Sequence, residues 1–402
     1  MNAPHSETPA AIPLTEEYPE IRDSVAKICA GFPGPYWQGL EDERDPLKTY
    51  PNAFVKALGD AGYLATLIPE AYGGAGLPIR AATIVLQTIH ASGCNAAACH
   101  AQMYIMGTLL RHGSEEQKKT YLPKIASGEL RLQAFGVTEP TSGSDTTKLK
   151  TRAVRQSDGG YIVNGQKIWT SRALQSDLML LLARTTATED VKKKTDGLSV
   201  FLVDMKKALA EGSMEIKPIK AMINHNTNEV FFNNMKIPAD ALIGEEGKGF
   251  RYIIDGMNAE RILIASESIG DGRWFTQKSK SYGTDRVIFG APVGSNQGIQ
   301  FPIAKAHAEI EAAEMMMRKA AALFDAGQPC GPEANMAKYL AAEAAWDAAE
   351  ACMQTHGGFA FAKEYDVERK WRECRLYRIA PISSNLVLAY VAEHVLGMPR
   401  SY

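Results

Sequence analysis

Residues 135–145, Phe-Gly-Val-Thr-Glu-Pro-Thr-Ser-Gly-Ser-Asp, hold more potential chemistry than any other short stretch of this chain. Pro140 and Gly143 mark a turn, while Thr138, Ser142 and Ser144 crowd hydroxyls and backbone N–H groups onto a non-helical segment. Such a loop is equipped to grip a polar, anionic cofactor; an ordinary Ser/Gly-rich turn between two domains has the same composition. Farther along lie Arg286, whose guanidinium is a fixed fork of donors, and Gly357-Gly358, a pair that lets a backbone approach closely. Taken singly, an Arg is usually a solvated surface charge.

The elements that must carry these residues fall into three stretches. Residues 1–131 read as an all-helical domain: Phe54, Val55, Leu58, Ala61 and Leu64 recur at helical spacing. Over residues 132–245 the pattern changes to short alternating or apolar runs, such as 178–182 and 198–203, separated by Gly, Asn and Asp clusters, which predicts a central β domain of barrel or sandwich type. Residues 246–402 return to long helices, expected over 250–270, 303–326, 335–356 and 383–396, and read as a C-terminal helical bundle. The chain is therefore expected to be mainly α with a β middle domain. Three consecutive methionines, Met315 to Met317, read as core filler.

Composition narrows the function classes. The chain has 402 residues, 45% hydrophobic and 22% charged, as in ordinary globular proteins. A net charge of -2, from 44 basic and 46 acidic residues, supplies no field for nucleic acid or an anionic membrane, so any phosphate must be met locally. Six cysteines include no Cys-x-x-Cys pair, which predicts reduced, structural thiols and no metal site. No apolar run reaches the ~18 residues of a membrane helix, and the start of the chain has neither a signal-peptide nor an Arg-rich transit character, so a cytoplasmic location is expected.

Several separated motifs, in order, resemble the acyl-CoA dehydrogenase family over nearly the whole chain. Residues 135–145 are similar to its aromatic-x-Val-Thr-Glu-Pro-x-x-Gly-Ser-Asp segment, and residues 164–171, Asn-Gly-Gln-Lys-Ile-Trp-Thr-Ser, to its Asn-Gly-x-Lys-x-Trp-Ile-Thr strand. Residues 246–250 leading to Glu260-Arg261 resemble the start of its long C-terminal-domain helix. Arg286-x-x-Phe-Gly-x-Pro-x-x-x-x-Gln297 and Gln354-x-x-Gly-Gly358 resemble its later cofactor-contacting stretches. The resemblance implies non-covalent FAD, its ring between the β domain and the C-terminal helices, and assembly through those helices into a homotetramer or homodimer.

Residue by residue, the resemblance implies that Phe135, Val137 and Thr138 face the pyrimidine side of the flavin, that Gly143 and Ser144 belong to the same grip, and that Trp169 and Thr170 lie by the ring. Ser171 stands for the family's Thr and keeps a hydroxyl for flavin N5. Arg286, Phe289 and Gln297 would reach the FAD of a neighbouring subunit, and Gln354, Gly357 and Gly358 its adenosine diphosphate end. Ser383 and Asn385 are placed with the cofactor-contacting residues by alignment with the family's Thr-Ser-Gln or Thr-Ser-Glu. Ser144 would also face the substrate's pantetheine, and Asn258 and Arg261 would sit near the substrate.

The same alignment departs from the family at its base. Making an enoyl thioester requires a base for the α-proton, an oxidant for the β-hydride and donors to the thioester oxygen. Many members carry the base in Tyr-Glu-Gly-Thr; here Pro381 occupies that Glu position, and a proline also lacks the backbone N–H that helps hold the thioester oxygen. The isovaleryl-CoA and long-chain branches instead use a Glu just before the Arg of the long helix, which assigns Glu260 as the base. The implied activity is α,β-dehydrogenation of an acyl-CoA to the 2-enoyl-CoA, with an electron-transfer flavoprotein as acceptor. A flavin monooxygenase or oxidase on the same fold, and a decayed FAD-binding paralogue, stay open as alternatives.

Overall fold

The computed structural model describes residues 11–401 except residue 16; the reading of the chain's start falls largely on residues outside these. Six helices come first: α1 (Pro19–Cys29), α2 (Gly34–Asp42), α3 (Asn52–Asp60), α4 (Ile79–Ala91), α5 (Ala97–His112) and α6 (Glu115–Ala126). Eight strands follow: β1 (Leu132–Gly136), β2 (Arg152–Arg155), β3 (Tyr161–Ser171), β4 (Leu178–Arg184), β5 (Leu198–Asp204), β6 (Met214–Pro218), β7 (Thr227–Ile237) and β8 (Leu242–Ile243), with α7 (Met205–Ala210) after β5. Then come α8 (Gly249–Asp285), α9 (Gln297–Asp325), α10 (Gly331–His356), α11 (Val367–Cys374) and α12 (Ser384–Tyr390). Helical regions thus flank a central mixed β-sheet along the chain, the order expected from the change of hydrophobic period.

Two compact units form, one from residues 40–77 and 97–257, the other from the described residues up to 39, 78–96 and 258 onward. In the first, the sheet runs β6-β7-β3-β2-β4-β5-β8, and β1 lies parallel to β4, pairing Phe135 with Leu180. β4 is buried at every position, which explains its apolar run from Leu178 to Ala183 before the buried Arg184. Its period-2 geometry sends Leu178, Leu180 and Leu182 into a cluster with Ile105, Met106 and Leu109 of α5 and Leu122 and Ile125 of α6. Met179, Leu181 and Ala183 go to the opposite face, with Val163 of β3, Phe201 of β5 and Val230 of β7. Each fully buried leucine here stabilises the unit by about 1.5–3 kcal/mol. α6 starts on a capping box in which Ser114 and Gln117 satisfy each other's backbone N–H.

In the second unit, α8 does not end at Gly270 as its sequence predicts; it continues to Asp285. Gly270 is there for close packing: a Cβ would lie 2.4 Å from the Gln87 carbonyl oxygen of α4. α10 is lined with buried alanines, among them Ala337, Ala341, Ala344 and Ala348, small enough for neighbouring helices to approach on several sides. The methionine run is only partly core filler, because helical geometry turns successive residues to different faces: Met317 is buried and Met315 is exposed. The six cysteines are free and buried.

This unit also buries a charge cluster. Asp271 of α8 takes Lys370 Nζ at 2.5 Å, the Tyr377 hydroxyl at 2.8 Å and His90 Nδ1 at 2.9 Å. The Ala96 N–H donates to His90 Nε2 at 3.1 Å, which leaves the ring proton on Nδ1, pointed at the carboxylate. Lys370 adds Glu373 at 3.2 Å and the Cys94 carbonyl at 3.1 Å. Burial opposes the charge on Asp271, but Lys370 and His90 outweigh it and hold the carboxyl down at about 2.

Candidate active site

In the sheet unit, the hydroxyl-rich loop leaves β1 and folds back on β3. The Ile168 N–H donates to the Thr138 carbonyl at 2.9 Å, and Lys167 Nζ donates to the Val137 carbonyl at 3.0 Å. Glu139 and Ser142 exchange backbone hydrogen bonds at 3.0 Å each way, closing the turn that Pro140 opens. The Glu139 carboxylate is buried and accepts the Lys150 N–H at 2.6 Å, the Thr151 N–H at 2.9 Å and Lys167 Nζ at 2.8 Å. Burial pushes the Lys167 amine down to about 8 despite Glu139. Burial also works against the Glu139 carboxylate, yet Lys167 and the two N–H groups keep it below the usual range. Glu139 and Lys167 therefore pin the loop to the strand. Neither was singled out from the sequence, although each is a charged residue in one of the two quoted motifs.

Past Lys167 the β3–β7 register shifts, and Trp169 takes a left-handed φ of 59° that a bulky residue rarely adopts. Its indole is 57% exposed although its neighbours are sheet residues. Thr170 is wholly buried: its carbonyl accepts Asn228 Nδ2 at 3.1 Å, and its Oγ1 has no hydrogen-bond partner among the described residues. Phe135 and Thr138 are half-buried, and Gly143 and Ser144 lie at the exposed loop tip. The structure thus brings Val137 and Thr138 beside 167–170. An exposed aromatic face, a strained backbone and an unsatisfied buried hydroxyl fit the flat, polar-edged ring of FAD, the cofactor that the family resemblance implies.

The helical unit holds the other predicted residues in two groups. In the first, Glu260 on α8 is only 3% exposed. Arg261 donates from Nη1 to Asn258 at 3.0 Å, and its buried Nε has no partner among the described residues. Burial lowers the Arg261 pKa, while Tyr390 and Glu260 oppose that shift. Lys338 of α10 is completely buried and donates to the Ile382 carbonyl at 2.7 Å, next to exposed Pro381. Ser383 uses its hydroxyl to cap α12, accepting the Leu386 N–H at 3.4 Å, and Asn385 is exposed.

In the second group, Arg286 begins a hairpin whose turn, Phe289-Gly290, has positive φ at both residues and leaves the Phe289 side chain fully exposed. The Arg286 guanidinium lies 5.4 Å from the centre of the Phe359 ring, so the hairpin is beside Gly357-Gly358. Gly357 has φ 59°, and nothing lies within 4 Å of the space a Cβ would take at either glycine. Gln354 and Gln297 are exposed nearby in sequence to these turns.

Comparison with known proteins agrees along the whole length. The N-terminal, middle and C-terminal domains of acyl-CoA dehydrogenase match residues 15–129, 134–235 and 247–396. Acyl-CoA dehydrogenase FadE12 of Mycobacterium tuberculosis is 34% identical over 393 residues, covering 96% of this chain and 98% of that protein. An acyl-CoA dehydrogenase of Bacillus subtilis is 33% identical, covering 87% and 90%. Among solved structures, a glutaryl-coenzyme A dehydrogenase in complex with glutaryl-CoA superposes with a TM-score of 0.85 at 29% identity, covering 97% of this chain and 98% of that one. On these matches the chain belongs to the acyl-CoA dehydrogenase family of FAD-dependent oxidoreductases.

Proposed function

We propose that this enzyme carries out α,β-dehydrogenation of an acyl-CoA thioester to the 2-enoyl-CoA, with Glu260 as the base, in the manner of the isovaleryl-CoA and long-chain branches. The observation that carries the assignment is the burial of Glu260 on α8, directly before Arg261, whose Nη1 donates to Asn258, while the family's alternative position holds Pro381. A carboxylate held out of bulk water can accept a carbon-bound proton without first shedding a hydration shell. FAD, when bound, would supply the two-electron acceptor for the β-hydride, at its N5.

The chain's own residues would do the rest. Phe135, Val137, Thr138, Gly143, Ser144, Trp169, Thr170 and Ser171 would hold the ring. Arg286, Phe289 and Gln297, and Gln354, Gly357, Gly358, Ser383 and Asn385, would serve FAD from the helical unit, the first three in a neighbouring subunit of a homotetramer or homodimer; full exposure of Phe289 supports that reading. Ser144, Asn258 and Arg261 would orient the thioester. Pro381 offers no N–H to the thioester oxygen, and the adjacent Ile382 N–H takes that part in this reading. We read residues 1–131, 132–245 and 246–402 as the three working domains, an electron-transfer flavoprotein as the acceptor and the cytoplasm as the location; among the described residues no helix is long and apolar enough to cross a membrane.

Anaerobic titration of the FAD-loaded enzyme with a panel of straight, branched, aromatic and cyclic acyl-CoAs tests the reaction. Bleaching of the flavin spectrum by at least one thioester is expected, and none across the panel overturns the reading. Glu260→Gln should retain FAD and slow bleaching by about 10²–10⁴. A variant that bleaches at the wild-type rate removes Glu260 from the role of base.

A further inference from the structure

Pro381 and Ile382 lie in a short stretch that α10 holds at both ends and in the middle. A single oxygen of Glu343, Oε1, accepts Arg378 Nε at 2.9 Å and the Ser384 hydroxyl at 3.1 Å, so one carboxylate closes residues 378–384 into a loop. Between those two ties, Lys338 Nζ donates to the Ile382 carbonyl at 2.7 Å. Just upstream, the Tyr377 hydroxyl donates to Asp271 at 2.8 Å, which roots the same stretch in the buried charge cluster.

Apolar packing does not explain so firm a hold. Ile379 is 59% exposed and Pro381 is exposed too, and a stretch with few buried apolar contacts opens easily unless polar ties restrain it. The Glu343–Arg378 pair is partly exposed and worth little by itself. Lys338 is different. Its side chain is fully enclosed, and a methionine would fill the same space without taking an amine out of water, so the reason for a lysine there is the bond it makes to Ile382. What the three ties leave open is equally specific: among the described residues no hydrogen bond takes the Ile382 N–H, and Pro381 before it has none to give.

We propose that Lys338 and Glu343 are positioning residues for the reaction: together they clamp the 378–384 loop so that the Ile382 N–H stays fixed for the thioester oxygen of the substrate. A donor stabilises developing charge only if it is already in place, because a loop that must be ordered during the reaction spends that stabilisation on its own ordering. Neither side chain touches the substrate in this reading; each acts through the Ile382 peptide. The proposal rests on the reading of Ile382 as the thioester donor and names what holds it.

The test compares Glu343→Ala, which loses both end ties, Glu343→Gln, which keeps an oxygen for both donors, and Lys338→Met, which keeps the length and loses the donor. Hydrogen–deuterium exchange of the peptide covering residues 379–383 is followed first, in FAD-loaded enzyme without substrate. It should quicken about tenfold or more in Glu343→Ala and Lys338→Met and stay near the wild type in Glu343→Gln. The second readout is the infrared carbonyl band of a bound 2-enoyl-CoA, labelled with ¹³C at the thioester carbon and chosen as the product of a thioester that bleaches the wild type. In Glu343→Ala and Lys338→Met the band should move back toward its position in the free thioester, with bleaching slowed up to about 10²-fold at saturating substrate, and Glu343→Gln should restore both. Unmoved exchange overturns the clamp, and faster exchange with an unmoved band overturns its service to the thioester. Should Lys338→Met not load FAD, its exchange is compared with that of FAD-free wild type, and an unmoved value overturns the part given to Lys338. Failure of the reaction reading is seen separately: no thioester then bleaches the wild type, while the difference in exchange stands.

Discussion

Two regions of this molecule bury a lysine against a carboxylate, and they do so to different ends. Lys370 has Asp271, Glu373 and the Cys94 carbonyl around it, and although burial alone would lower its pKa, the two carboxylates raise it. Lys167 has Glu139 and the Val137 carbonyl, and burial wins, bringing it down to about 8. The first cluster ties α4, α8 and α11 together with its carboxylate fully engaged. The second holds a loop beside Trp169 and Thr170, where an indole is exposed and a buried hydroxyl has no partner among the described residues. A charge network with its donors and acceptors matched is cement; one that ends next to unmatched groups is a frame for a ligand.

The largest effects should come from removing one carboxylate from each region. Asp271→Asn and Glu139→Gln should each cost about 3–5 kcal/mol at neutral pH, read as a fall in thermal midpoint or denaturant resistance. They should then separate as pH rises. In Glu139→Gln, Lys167 is left with a neutral acceptor and escapes the penalty by losing its proton; because an unfolded lysine holds its proton to about 10.4, the cost of that escape shrinks as pH approaches that value. In Asp271→Asn, Lys370 keeps Glu373 and stays charged, so its deficit should not recover. Equal recovery in the two variants breaks the distinction.

A smaller effect belongs to acid. The Asp271 carboxyl titrates at about 2 in the fold, below its ordinary unfolded value near 3.9, so the unfolded chain binds the proton first as pH falls. The resulting stabilisation, about 2–3 kcal/mol, is complete above the unfolded value and lost as pH drops toward 2. Asp271→Asn should flatten that part of the stability curve, and an unchanged acid slope counts against the role given to the cluster.

The smallest effect tests the frame itself. Thr170→Val removes a hydroxyl that makes no hydrogen bond within the described residues, so the FAD-free protein should keep its stability to within about 1 kcal/mol. FAD affinity, measured by fluorescence titration, should weaken about fivefold, the loss of one modest hydrogen bond. Equal affinity would make the vacancy at Thr170 a packing defect and not a ligand contact.

Much of this was legible in residue order. The change from helical to alternating period and back marked the helix–sheet–helix sequence, because hydrophobic period follows directly from backbone geometry. The motifs at 135–145 and 164–171 marked the family, and Glu260-Arg261 with Pro381 are the residues on which the proposed base rests. What failed or stayed hidden depended on distant neighbours. Gly270 reads as a helix stop, yet it is a point of contact with the Gln87 carbonyl, and only packing reveals that. Glu139 and Lys167 sit in different motifs, and nothing in their spacing says that β1 and β3 will lay them 2.8 Å apart.

By itself the sequence determined the family, the cofactor class and the order of elements, since these rest on local pattern and on motifs short enough to be read along one strand or turn. Tertiary structure alone decided which charges are buried and with whom: that Lys370 is held by two carboxylates, that Lys167 pins the loop, and that Lys338 is enclosed and donates to the Ile382 carbonyl. The reason is physical. The energy of a charge depends on the dielectric and the partners around it, and those are properties of packing between segments that the chain order keeps far apart.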